Sequence, residues 1–175
     1  MPPLVKYRGA TLLLVVSIIM IIFGVMGVFG GLSSMATGMM SSFSFNLDEN
    51  GIQYFRMIGA LSILTGAVEL VFGIFGIRFR NRGDKAGFVL VLGIIQIIVT
   101  VFATIYEMML LPMGARVMEQ INRMMEQEYG FTATDMNIEG LASNPVLIAV
   151  GFILPALFIV GALLNRMPPK QLYPK

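Results

Sequence analysis

The chain has 175 residues, 57% of them hydrophobic and 13% charged, with a formal net charge of +2. That composition is too apolar for a soluble domain of this size, and so little chain lies between the apolar runs that one membrane domain, 1–175, is expected. Cysteine and histidine are absent, which excludes disulfides, thiolate or imidazole metal sites, and the commonest general base and thiol nucleophile.

Four apolar runs, at about 10–32, 56–77, 86–111 and 145–164, are each near or above the ~20 residues a helix needs to cross a ~30 Å hydrocarbon layer. The expected fold is an all-α, four-transmembrane-helix bundle. Run 1 follows Lys6 and Arg8 and is longer than the ~7–15 apolar residues of a signal peptide, so it reads as a retained helix. Along it Ser17, Met20, Gly24, Gly27, Gly31 and Ser34 recur at 3-4-3-4-3 spacing. The stretch 33–55 is rich in Ser, Met and Phe, carries an Asp48-Glu49-Asn50-Gly51 turn signal, and reads as an outer loop.

Run 2 repeats the pattern with Gly59, Ser62, Gly66, Glu69, Gly73 and Gly76, again at 3-4-3-4-3. In lipid no hydrophobic drive pairs helices, so small residues that let backbones approach supply the packing. Two such seams on consecutive antiparallel helices predict a close pair with left-handed crossing. Glu69 interrupts its seam with an acid at bilayer depth, where a carboxyl costs several kcal/mol unless compensated.

A short link with Arg78, Arg80, Arg82 and Lys85 leads to run 3, where Gly93, Gln96, Thr100, Ala103 and Glu107 form a polar and small stripe. Counted from the link, Gln96 lies nearly level with Glu69 at mid-membrane, while Glu107 lies near the outer interface, within reach of water. The segment 112–144 reads as a second, structured outer loop. Pro112 starts an amphipathic helix with Met113, Val117, Met118, Ile121, Met124 and Met125 on one face, ended by Gly130. It is expected to lie along the outer leaflet or fold over the bundle mouth. Run 4 opens with Asn144 as cap and Pro145 at the first helical position, and Pro155 near its centre frees the Gly151 carbonyl.

Basic residues gather in the N-terminal segment, the 2–3 link and the C-terminal tail, whereas the two long connections carry mainly acids. The positive-inside rule then places both termini in the cytoplasm, in a multi-pass cell membrane protein. The lack of an Asn-x-Ser/Thr sequon agrees with a prokaryotic inner membrane. The layout is similar in topology to tetraspan membrane proteins. It lacks the outer-loop cysteines of claudins and tetraspanins and the claudin tryptophan, so neither family is assigned.

No acid cluster has metal-ligand spacing and no glycine-rich turn forms a phosphate cradle, so catalysis and cofactors are not expected. Most of the 15 methionines fall in the outer loops or at outer helix ends. Thioethers suit Cu(I), but a methionine-lined amphipathic face reads better as an adaptable apolar surface for lipid or protein. The expected function is a small polytopic interaction or accessory protein with a Met-rich outer recognition surface. Its partners would be the bilayer and another membrane protein or a second copy, and not nucleic acid. The alternative is a small transporter or oligomeric channel in which Glu69 couples protons or cations. The bland role for Glu69 is a protonated acid donating to Gln96 or to the Gly151 carbonyl.

Overall fold

The structure, a computed structural model, describes residues 7–44, 47–129 and 145–167. Helix α1 runs Ala10–Ser44, α2 Glu49–Phe79, α3 Ala86–Tyr129 and α4 Pro145–Arg166, with one 3-10 turn at Gly83–Lys85 between α2 and α3. No strand occurs among the described residues. Three helices are long and apolar enough to cross a membrane, and α4 is a shorter apolar helix. We call the end bearing the α2–α3 link proximal and the end bearing the α1–α2 link distal.

Two expected loops are largely helical. The supposed loop 33–55 is mostly the ends of α1 and α2, which stop at Ser44 and begin at Glu49. Hydropathy falls there, but Met and Ala keep good helix propensity and no proline intervenes. The hydroxyls turn back onto their own helix: Ser34 Oγ donates to the Gly30 carbonyl at 3.0 Å and Thr37 Oγ1 to that of Ser33 at 2.9 Å. Asp48 caps α2, its Oδ1 accepting from the Gly51 N–H at 2.8 Å.

Likewise, 113–127 is not a separate helix lying on the membrane. It is the continuation of α3, which passes through Pro112 without a break. A proline inside a helix loses one hydrogen bond and frees the carbonyl four residues earlier, here that of Met108. Both residues lie on the exposed side, where water or headgroups satisfy that carbonyl, so the helix is not forced to end. Beyond it, Gly114 packs against the Tyr54 ring of α2, and Val117 is 2% exposed. The expected caps Asn144 and Gly130 lie outside the described residues.

α1 and α2 pack along their whole length through the glycine positions. A Cβ at Gly24 would lie 2.6 Å from the Gly66 carbonyl, one at Gly31 2.5 Å from that of Gly59, and one at Gly73 2.7 Å from that of Ser17. Ser17, Gly24 and Gly31 thus face Gly73, Gly66 and Gly59 in antiparallel register, one pair every seven residues. Between them Gly27 sits against Gly66 and Ser62, and Ser62 Oγ donates to the Gly27 carbonyl at 2.9 Å.

α4 adds to this pair only in the proximal half. There Leu13, Val16 and Met20 of α1, Val89 and Leu92 of α3, and Phe158 and Ala162 of α4 form the apolar core. Gly76 and Gly93 give Phe158 room to enter. The ring edges of Phe75 and Phe79 meet Phe88 with centroids 5.7 Å apart, closing the α2–α3 corner.

Candidate functional site

Glu69 lies on α2 between Gly66 and Gly73, both of which touch α1, so its position in the seam is fixed by close backbone contacts on either side. It is half-buried and has no hydrogen-bond partner among the described residues. The expected bonds to Gln96 or to the Gly151 carbonyl are not made. Gln96 is 2% exposed, deep in the bundle, and its Oε1 has no partner. Gly151 is on the exposed side of α4. Glu69 and Gln96 share a depth but do not meet.

The other polar positions of α3 separate in the same way. Thr100 is half-buried and donates through Oγ1 to the Gln96 carbonyl at 2.9 Å, so its hydroxyl is consumed within its own helix. Thr104 repeats the pattern onto Thr100. Glu107 is on the exposed surface of α3. No group of three acidic side chains capable of holding a metal converges among the described residues.

The amphipathic face of the α3 extension divides in two. Met113 and Val117 turn toward the α1–α2 link and, with Met109, Pro112, Asp48, Asn50, Arg116 and Gln120, line a cleft of mixed polarity of about 310 Å3. Met118, Ile121, Met124 and Met125 are half-buried. The methionines most exposed at the distal half are others: Met39, Met40, Met108 and Met109, at 57, 68, 44 and 72%. Between α1, α2 and α3 on the same half lies a larger apolar groove with Arg56 in its wall.

One buried polar residue gave no signal in the sequence reading. Asn165, 1% exposed near the end of α4, donates through Nδ2 to the Arg80 carbonyl at 2.6 Å. Gly9 and Gly161 approach so closely beside it that a Cβ on Gly9 would sit 2.1 Å from the Gly161 carbonyl. Asn165 thereby ties α4 to the α2–α3 link and the start of α1. The available clue was an asparagine four residues after a helical glycine, in a run otherwise apolar. Its Oδ1 and the Ser17 Oγ are buried without a partner among the described residues, as are Gln96 Oε1 at mid-bundle and Gln120 Oε1 and Asn122 Oδ1 on the α3 extension. No family model matches the chain, and neither a curated protein nor a solved structure is found to be similar to it.

Proposed function

We propose that this is a four-span accessory protein of the cell membrane, with α4 as the fourth span, both termini cytoplasmic, and a distal helical head that recognises another membrane protein. The observation that carries the reading is helix length. α1, α2 and α3 have 35, 31 and 44 residues, or about 52, 46 and 66 Å at ~1.5 Å per residue, against a hydrocarbon core of ~30 Å. Aligning the basic proximal link with one membrane surface leaves a helical projection beyond the other. Its exposed methionines, Met39, Met40, Met108 and Met109, supply a soft apolar surface for a protein partner. The prokaryotic inner membrane is the setting that the sequence features support.

Cysteines engineered singly at Gln127 and Arg82 test the orientation in this cysteine-free chain. An impermeant maleimide added to intact cells should label the first and spare the second; labelling at 82 overturns the topology. A partner crosslinked at Met109 in native membranes and lost from a Met108→Gln/Met109→Gln variant supports recognition. Unchanged capture by that variant counts against it.

The second reading, ion or proton coupling at Glu69, is favoured by one observation: a half-buried acid in a helix seam with no partner among the described residues. A carboxyl so placed is retained in membrane proteins chiefly where it pairs or works.

A further inference from the structure

We propose that the distal groove binds one anionic phospholipid, with a fatty chain along the groove and the phosphodiester at Arg56. The groove is about 640 Å3 in volume, within the range that encloses a small organic molecule. Its walls change character along the helix axes. α2 carries Arg56, Ala60 and Leu64 on this side, one helical turn apart and spanning about 12 Å at ~1.5 Å per residue. α3 runs the other way, with Phe102 deep and Tyr106 toward the distal end. Those two rings stack with centroids 6.2 Å apart and planes 18° from parallel, giving a flat wall against which a linear chain can lie.

The deep end is hydrocarbon only. Leu64 and Phe102 are 54 and 59% exposed there, and inside a bilayer lipid chains are what meets them. The distal end is polar and positive. Arg56 is exposed and has no ion-pair or hydrogen-bond partner among the described residues. Glu107, next to Tyr106 in sequence, does not line the groove, so no carboxylate of the lining competes for Arg56. A guanidinium at headgroup level beside a phenol favours a phosphate, which accepts from both. A partner helix would match the apolar half but would also have to bring an acid to Arg56. A phospholipid supplies both halves in one molecule. The site shares only Met39 with the recognition surface proposed above; Met40, Met108 and Met109 lie outside its lining.

The test is native mass spectrometry of the full-length protein in detergent, incubated with palmitoyl-oleoyl phosphatidylglycerol or with the matching phosphatidylcholine. Wild type should retain one phosphatidylglycerol, roughly tenfold in preference to phosphatidylcholine, whose own ammonium offsets the phosphate charge that Arg56 would pair with. Arg56→Gln should abolish the preference while still holding either lipid weakly. Ala60→Trp, which fills the groove, should lose both lipids, and Ala60→Leu should show a partial loss if the larger ring prevents folding. Val71→Trp, on the exposed face of α2 away from the groove, serves as control and should behave as wild type. Equal retention of both lipids by wild type, or retention unchanged by the Ala60 variants, would overturn the site. So would a dimer whose crosslinks place a second copy in the groove.

Discussion

Asp48 joins two parts of the distal end through one carboxylate. It caps α2 through the Gly51 N–H, and the Gln120 amide on the α3 extension hydrogen-bonds to it as well. The Gln120 bond is the main cause holding its carboxyl below the ordinary carboxylate range, followed by the Gly51 bond. A depressed folded-state pKa means that Asp48 stabilises the fold fully above its unfolded value of about 3.9, and that this contribution is lost as pH falls through the folded value. The thermal midpoint in detergent should therefore fall on acidification below about pH 4. Asp48→Asn should have a lower midpoint at pH 7 and a shallower acid-side slope. An Asp48→Asn profile parallel to wild type would mean that the carboxylate is not the linked group.

The polar residues also show how a one-dimensional reading reaches its limit. Depth along a helix axis can be counted from a charged link, and that count placed Glu69 and Gln96 level. Whether two level residues meet depends on azimuth and on which helices are adjacent. Glu69 follows the α1-facing seam of α2, whereas Gln96 shares the α3 heptad of Val89, Ala103, Leu110 and Val117, all buried. Asn165 was missed for a related reason. Its partner is a backbone carbonyl, that of Arg80, and carbonyls carry no sequence signature.

At the scale of helices, the glycine spacing was legible because close approach leaves residue identity almost no freedom. A seven-residue repeat of small side chains on two neighbouring helices has a geometric consequence, and the pairs Gly24–Gly66 and Gly31–Gly59 are that consequence. Helix ends were less legible. Falling hydropathy marks where lipid ends, not where helix ends, so 33–44 and 113–129 remain helical while becoming polar. Pro112 carries the same signal as a helix-starting proline, yet an outward-facing proline is also tolerated inside a helix. Gly66→Leu should cost about 1–3 kcal/mol through overpacking, since its Cβ alone would fall 2.7 Å from the Gly24 carbonyl and 2.8 Å from the Val28 nitrogen. Gly30→Leu is the matched control, because nothing lies within 4 Å of a Cβ there. Ser62→Ala should cost about 0.6 kcal/mol, the average for an interhelical bond in a membrane. Denaturation in mixed micelles measures all three, and equal losses at Gly66 and Gly30 would mean that the seam is not what holds the pair.

The whole molecule is uneven along its long axis. The proximal half is a packed four-helix core closed by Phe158 and Asn165, whereas the distal half rests on the α1–α2 seam and the Tyr54–Gly114 contact. Glu69 belongs to the seam itself, which makes it the residue that separates an accessory protein from a transporter. If it is a packing element, Glu69→Gln should retain fold and thermal stability, because the amide keeps the size and shape of the carboxyl, while Glu69→Leu should disturb the contacts at Gly66 and Gly73. Neither change would then alter ion movement. If Glu69 is a coupling site, Glu69→Gln should leave a folded protein that has lost a proton- or cation-linked flux, since an amide cannot exchange its charge. Proteoliposomes under an imposed pH gradient, wild type beside Glu69→Gln, measure this directly. Flux that disappears in the folded Gln variant would overturn the accessory reading. Absence of flux from both, with the melting behaviour intact, would assign Glu69 to the α1–α2 seam and leave the distal head as the working surface.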